Sequence, residues 1–550
     1  LQEDPFRVAA RVSPTNIGLL LNARQVACEF GYLALPEFAD RTARTLATIR
    51  RMKRHRGHLF NWYDTRTLDP LPPLFVSTVD SGNLVASLWT LQLGCKQLLD
   101  RPVLRAALAE GFLDHLRVLT DVRAFPRGLF VRLQRRVEHG DWLKTLLKFP
   151  VPALERIPGK DLDAKHAGDV KWFANEAARR LQAIHHLVAR FTPWMLQDFA
   201  ELRNDLELGL PGTDVLLKDL PAVTEALAAR LQSILDVRSD GNDHQTRLLR
   251  RLVPMVLGAS NDATRLISEL EALSEDIERM ADDTEFAFLW NPRRKLLSIG
   301  METDKGEIHA ACYDLLASEA RTAAFVAVAK DEVPQETWFL LARTHVAPLG
   351  RPVLLSWTGT MFEYLMPAIW MRTYTGTLLD RSRHAAVQMQ KEYTNLKRIP
   401  WGISESAYAA RDEAGTYQYH AFGVPQLALH QDDTDTLVIS PYSTALALST
   451  APKAALDNLR RISHEGWFGA YGFYESADYT VSRHRKWRHE CEVVRCYMAH
   501  HQGMTLLSIA NFLADGVVQE WFHAHPRVMA TELLLHEKPV NYLPSGHPAA

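Results

Sequence analysis

The chain has 550 residues, 47% of them hydrophobic and 23% charged, a balance that suits a globular protein of two or three packed units. Lysine and arginine total 63 against 65 acids, which argues against a protein that binds nucleic acid by replacing phosphate counterions with clustered positive charge. Basic runs at Arg50–Arg56 and Arg483–Arg488 are short and read as solvated faces. The five cysteines, Cys28, Cys95, Cys312, Cys491 and Cys496, form no CxxC pair, so the expectation is a reducing compartment without a disulfide framework or structural zinc. No apolar stretch reaches the roughly 18 to 20 residues of a membrane-spanning helix. A start on Leu1, with Glu3 and Asp4 following, carries no signal peptide and suggests an excised piece.

In chain order, Ser13-Pro14-Thr15-Asn16 and Leu35-Pro36-Glu37 predict helix starts, each with proline in the first turn. Turn formers then mix with aromatics at Asn61-Trp62-Tyr63-Asp64-Thr65-Arg66-Thr67. Val79-Asp80-Ser81-Gly82-Asn83 ends an extended run before an apolar helix over Leu84–Leu99. Between Glu201 and Glu285 there is no aromatic residue. Apolar residues three and four apart in Val223–Leu235 and Ala263–Met280 predict a helical insertion, with turns at Leu210-Pro211-Gly212 and Ser239-Asp240-Gly241-Asn242. Glu285–Gly300 reads as a hairpin around Asn291-Pro292-Arg293. Helices are expected at Ala310–Lys330, Thr358–Arg372, Asp380–Tyr393, Tyr442–Ser449, Pro452–Ser463 and Val493–Ala514, separated by loops rich in glycine, aromatics and acids. An all-α fold follows, and an α/α barrel is the arrangement that gathers many short aromatic loops at one end of many helices.

Three glutamates lie among aromatics: Glu363 in Met361-Phe362-Glu363-Tyr364, Glu405 in Trp401-Gly402-Ile403-Ser404-Glu405-Ser406, and Glu475 in Tyr471-Gly472-Phe473-Tyr474-Glu475-Ser476. A carboxyl against an apolar wall stays protonated near neutral pH while a partner in a more polar setting ionises. Cleavage of a glycosidic bond needs such a pair, and Trp62, Trp357, Trp401, Tyr442 and Tyr474 would supply flat faces for sugar rings. Glu363, within an apolar helix, equally fits a cap or an internal pair, and Glu405 and Glu475, after glycine turns, also fit helix caps. Asp64 and Asp80 could hold sugar hydroxyls or cap helices. Arg411, Tyr417 and Tyr419 are further candidates for contact with substrate. His500 and His501 precede Gln502; adjacent helical residues point about 100° apart, so they read as hydrogen-bonding groups rather than ligands of one metal. Gln431-Asp432-Asp433-Thr434-Asp435 lacks the glycine and distal glutamate of a calcium loop and reads as surface. There is no GxxxxGK[ST], GxGxxG after a strand, GxSxG or HExxH, and no cofactor or metal is expected.

Together the motifs resemble the middle, glycoamylase-like region of cyclic β-1,2-glucan synthases. The pieces that carry the resemblance are Ser13–Gly18, Gly57–Arg66, Val79–Asn83, Tyr313–Ala320, Gly359–Pro367, Trp401–Ser406, Tyr471–Ser476 and Tyr497–Gly503, in the family's order over nearly the whole chain. The resemblance implies an (α/α)6 barrel made from 1–104 and 285–550, with 105–284 as a helical insertion. It implies an anomer-retaining transglycosylase that cyclises linear β-1,2-glucan, with the acid/base and the nucleophile among Glu405, Glu475 and Glu363, the first two preferred. Related inverting β-1,2-glucanases carry an aspartate base in the segment resembling His500-His501-Gln502-Gly503; histidine here fits retention, which needs no activated water on the opposite face. The same resemblance implies covalently linked glycosyltransferase and phosphorylase-like domains, and a cytoplasmic location at the inner membrane of a bacterium. An endo-β-1,2-glucanase and a non-catalytic glucan-binding module are the rival readings.

Overall fold

A computed structural model describes residues 1–155, 157, 164–238, 243–347, 352–430, 436–480 and 491–538. The basic run at Arg483–Arg488, the acidic run Gln431–Asp435 and the turn at Ser239–Asn242 lie outside the described residues. Helices dominate: α1 (Pro14–Glu29), α2 (Leu35–Arg51), α3 (Thr78–Leu99), α4 (Ala107–Asp121), α5 (Arg127–Glu138), α6 (Trp142–Leu147), α7 (Val151–Glu155), α8 (Ala164–Phe191), α9 (Leu220–Val237), α10 (His244–Asp282), α11 (Ala320–Ala329), α12 (Glu336–Leu340), α13 (Met361–Leu365), α14 (Leu378–Asn395), α15 (Pro441–Leu446), α16 (Pro452–His464), α17 (Ala499–Leu513), α18 (Val517–His523) and α19 (Pro526–Thr531). The fold is all-α with two- and three-stranded antiparallel sheets between helices. Among the described residues, no helix is long and apolar enough to cross a membrane.

The chain divides into two compact units, one of residues 1–23, 51–90 and 278–550, the other of 24–50 and 91–277. Among its described residues, the longer segment of the second unit is built mainly of helices. In α10, Leu249, Leu252, Val256, Ala259, Ala263, Leu266, Leu270, Leu273 and Ile277 are buried. Their alternating spacing of three and four is the seam that lets a long helix pack along a neighbour without aromatic bulk. In α9, Leu220, Leu227, Leu231 and Leu235 supply a matching buried stripe.

The first unit carries every glutamate of interest. Its hairpin at Trp290–Asn291 and Leu296–Leu297 falls where the asparagine-proline turn predicts it. Four helices depart from expectation: Val493 lies in the strand Glu492–Val494, so α17 begins only at Ala499; the helix expected over Thr358–Arg372 is the short α13, continued by a 3-10 turn over Met366–Ile369; and α3 and α11 start elsewhere than expected. Helix α3 begins at Thr78 because the Ser77 hydroxyl accepts from the Asp80 amide at 3.2 Å, so Asp80 stands in the first turn rather than before it. Helix α11 begins only at Ala320, ten residues later than its apolar pattern suggests, because Ser318 takes a left-handed conformation with φ 52°. Gly82 is the contact point of these two helices: a Cβ there would lie 2.5 Å from Ala323 Cα. Only glycine lets the two helix starts approach so closely.

Candidate active site

Three acidic residues stand in or just before the first turns of helices, Asp80 in α3, Glu319 before α11 and Glu363 in α13, with Tyr442 at the start of α15 and His500 and His501 at the start of α17, whereas Glu405 and Glu475 directly precede the strands Ser406–Arg411 and Ser476–Asp478. A helix N-terminus favours a carboxylate by about 0.3–1 kcal/mol, but full desolvation can shift a carboxyl by several pKa units in the other direction. Burial wins at this site. Asp80, Glu319, Glu405 and Glu475 are all pushed upward chiefly by loss of solvent, Glu405 to about 8 and Glu475 to about 7.

Glu405 is positioned by its loop. Gly402, at φ 126°, lies so close to α15 that a Cβ would meet Ser443 Oγ at 2.8 Å. Two side-chain amides clamp the backbone on either side of it. Asn458 donates to the Trp401 carbonyl at 2.8 Å and accepts from its amide at 3.2 Å, while Gln390 exchanges two 2.8 Å hydrogen bonds with Ile403. Ser404 Oγ accepts from the Phe362 amide at 3.0 Å and lies 2.8 Å from the Tyr442 hydroxyl, which donates to the Glu405 carbonyl at 3.0 Å. Every buried polar group of the loop named here has a partner, so its path is set by hydrogen bonds that would be costly to break.

The strand Ser406–Arg411 pairs with Tyr417–His420, Ala407 opposite Tyr419. That register brings the Tyr419 hydroxyl to Glu405, where it donates to Oε1 at 2.8 Å. The same strand meets Ser476–Asp478: the Ala409 amide donates to Asp478 at 3.1 Å, and the Ala407 amide donates to Glu475 Oε1 at 3.3 Å. The two glutamate loops are thus joined through one strand.

His501 completes the link. Its Nδ1 is 2.8 Å from Glu475 Oε1 and its Nε2 is 3.4 Å from the Tyr419 hydroxyl. Tyr442 lies flat against the imidazole, with centroids 3.7 Å apart and planes 8° from parallel. Burial pushes both His500 and His501 down to about 3, so both rings are neutral at physiological pH. Glu475 Oε2 is buried and, among the described residues, has no hydrogen-bond partner. A carboxyl oxygen in that state suits a proton of its own or an atom of a bound ligand.

Glu363 has a different setting. Its carboxylate accepts from the hydroxyls of Ser356, Thr358 and Thr360 at 2.8 to 3.0 Å and from the amides of Thr358 and Thr360 at 3.1 Å, and it closes a capping box with Thr360. Arg321, buried, donates to the Glu363 and Tyr364 carbonyls. This carboxylate organises the turn before α13.

Of the other candidates, Tyr442, His500 and His501 gather with Glu405 and Glu475, and Gln502 donates to the Phe473 carbonyl beside them at 2.9 Å. Asp80 accepts from the Thr15 hydroxyl at 2.6 Å. Asn83 donates to Thr15 Oγ1 at 3.1 Å and to Glu319 at 2.8 Å, so the two acids share one network. Trp357, 49% exposed, stacks on His430. Trp401 is buried under its own loop. Asp64 pairs with Arg66 at 2.6 Å, which holds its carboxyl well below the usual range, and Arg11 covers Trp62. Arg411 donates to the Tyr417 hydroxyl at 2.8 Å and lies over its ring. Tyr474 donates to Glu3 at 2.8 Å. Sequence reasoning passed over Glu319, whose charge is the largest electrostatic neighbour of Glu405. Its signals were a serine-glutamate pair ahead of an alanine-rich helix and its place inside the segment Tyr313–Ala320.

Residues 312–526 match the Glycoamylase family model, described as putative glucoamylase. The chain superposes on the putative glucoamylase of Bacteroides fragilis NCTC 9343 with a TM-score of 0.55 at 12% identity, covering 98% of this chain and 90% of that one. The endo-β-1,2-glucanase of Chitinophaga pinensis, in complex with sophorotriose and glucose, gives the same TM-score of 0.55 and 12% identity, over 98% and 91% of the two chains. The protein therefore belongs to the class of (α/α)6-barrel folds that these structures share, with the likeness to the Glycoamylase model confined to residues 312–526. Within that class, it is 36% identical to the cyclic β-(1,2)-glucan synthase NdvB of Rhizobium meliloti strain 1021, across 99% of this chain and 18% of that protein. The chain spans less than a fifth of the relative's length.

Proposed function

We propose that this domain cleaves linear β-1,2-glucan and joins the cleaved chain to its own other end, releasing cyclic β-1,2-glucan with retention at the anomeric carbon. The supporting observation is the pair Glu405, half-buried, and Glu475, fully buried, both held toward the protonated form near neutral pH and joined through Tyr419 and His501. The likeness of nearly the whole chain to one region of a cyclic glucan synthase supplies the substrate class. One carboxyl gives its proton to the departing glucosyl oxygen while the other attacks C1, forming a glucosyl ester. A hydroxyl of the same chain then displaces the ester, and its proton goes to the first carboxylate. Transfer exceeds hydrolysis when the cleft holds the acceptor end at high effective concentration and keeps water out. Tyr442, His500, His501, Asp80 and Trp357 are the groups proposed to hold the glucan.

In this reading Glu363 shapes the turn that supports Phe362 and the Ser404 contact, rather than touching sugar. The larger relative fits a domain that works beside linked glycosyltransferase and phosphorylase-like domains, at the cytoplasmic face of the inner membrane. The deciding experiment incubates the protein with linear β-1,2-glucan and weighs the products. Chains lighter than their linear counterparts by one water support cyclisation. Linear oligosaccharides alone identify a glucanase, and unchanged glucan a binding module.

A further inference from the structure

We propose that His501 and Tyr419 form a proton relay between Glu405 and Glu475, so that in the reactive state, with one proton on the pair, that proton can rest on either carboxyl and the site holds one acid and one carboxylate. The inference rests on the reading of these glutamates as the reacting pair. It adds two positioning residues that act through them.

With a neutral imidazole and one proton on the pair, two arrangements keep every link of the path hydrogen-bonded. In the first, Glu475 Oε1–H donates to His501 Nδ1, His501 Nε2–H donates to the Tyr419 oxygen, and the Tyr419 hydroxyl donates to an ionised Glu405 Oε1. In the second, Glu405 Oε1–H donates to the Tyr419 oxygen, the Tyr419 hydroxyl donates to Nε2, and Nδ1–H donates to an ionised Glu475. Conversion of the first to the second breaks the Glu475 O–H, Nε2–H and Tyr419 O–H bonds. It makes Nδ1–H, a new Tyr419 O–H and Glu405 O–H. No proton enters or leaves and the charge of the four groups stays at −1; the net change is one proton moved from Glu475 to Glu405. The histidine tautomer is therefore tied to which carboxyl is the acid.

Three observations support a relay over simple packing. The links measure 2.8, 3.4 and 2.8 Å along an unbroken path, the longest being the kind that tightens when substrate closes a site. The imidazole is clamped in plane by Tyr442 at 3.7 Å, so its two nitrogens face the two loops. The ring stays neutral, as both arrangements require. Ionisable groups bearing on the path are Glu319, Glu363 and Glu475 at Glu405, Tyr442 and Glu475 at Tyr419, and His500 and the Leu1 amino group at Glu475. Glu319 and Glu363 are linked to their own networks through Asn83, Ser318 and the capping box.

The test compares the wild type with Tyr419→Phe, which keeps the ring and removes the middle link, and with His501→Gln. Cyclic product formation is followed across pH and in mixtures of light and heavy water. Expected for the wild type are a bell-shaped pH profile and a curved dependence on deuterium fraction, the sign of several protons moving together. In Tyr419→Phe the rate should fall about tenfold or more, the two limbs of the bell should draw together, and the deuterium dependence should become linear. Glu405→Gln and Glu475→Gln run alongside. If these retain cyclisation, the reading of the reacting pair fails; if they lose it while Tyr419→Phe keeps the wild-type pH profile and deuterium curvature, the relay alone is overturned.

Discussion

Tyr442 and His501 stand face to face from the first turns of α15 and α17, 3.7 Å apart, and the same tyrosine holds the Glu405 carbonyl through its hydroxyl. One side chain therefore fixes both the imidazole plane and the backbone of the neighbouring glutamate. Tyr442→Phe keeps the stack and loses the hydrogen bond, so kcat/KM for glucan cyclisation should drop a few-fold. Tyr442→Leu loses the ring as well, and an aromatic contact of about 0.5–1.5 kcal/mol predicts a further loss of up to about tenfold. Steady-state kinetics on the two variants separates the contributions; equal rates would show that the ring face is unimportant.

Glu405→Gln and Glu475→Gln should abolish transfer without weakening the fold. Each removes a carboxyl that resists ionisation because it has lost solvent. At pH 9 the variants should therefore melt at a higher temperature than the wild type, and at pH 5, where the native carboxyls are already protonated, the difference should shrink toward zero. Thermal unfolding at the two pH values checks this directly.

The dependence of stability on pH should show a plateau with two falling sides. Glu405 and Glu475 keep their protons to about 8 and 7 when folded, against 4.5 for an ordinary glutamate. The folded chain thus binds more protons than the unfolded chain above pH 4.5, and these groups lower stability as pH rises toward 8. His500 and His501 act oppositely: with folded values near 3 against 6.5, they lower stability as pH drops from 6.5 to 3. Between pH 4.5 and 6.5 the two contributions cancel. A double Glu405→Gln, Glu475→Gln variant should lose the alkaline slope and keep the acid one.

Glu363→Ala should behave as a fold mutation. Five donors from Ser356, Thr358 and Thr360 would lose their acceptor in a buried turn, at a cost of about 2–3 kcal/mol. Denaturant unfolding should reveal the loss. Glu363→Gln, which still accepts, should recover part of both stability and activity; complete inactivity of a stably folded Glu363→Gln would instead favour a direct role for this carboxyl.

Gly82→Ala should force α3 and α11 apart, since the added methyl would sit 2.5 Å from Ala323 Cα. Overpacking of this kind costs about 1–3 kcal/mol. Because Asp80 and Glu319 stand at the starts of these helices, activity should fall by more than stability explains, as measured by the rate at a temperature where both proteins are folded.

Much of the fold was legible because helical periodicity and proline starts are local signals. The hairpin at residue 290, the aromatic-free helices and the glycine-framed loops of Glu405 and Glu475 all follow from short stretches of chain. Glu319 was not legible, because the residues before α11 carry an apolar pattern that continues the helix upstream, and only the left-handed turn at Ser318 ends it. Nor was the division of labour among the three glutamates. All sit between aromatics, and what distinguishes Glu363 is a set of hydroxyls, Ser356 and Thr358 among them, that fold back onto it. Tyr419 joined the site through strand register, a relation between residues that no single segment reveals.

The clamps that Gln390 and Asn458 place on the loop of Glu405 are made by uncharged amides. Such contacts neither titrate nor weaken with ionic strength, unlike an ion pair in the same position. The frame of the site can accordingly stay fixed while the carboxyls within it gain and lose protons, and changes in salt or acidity should register in the chemistry before they register in the shape of the loop.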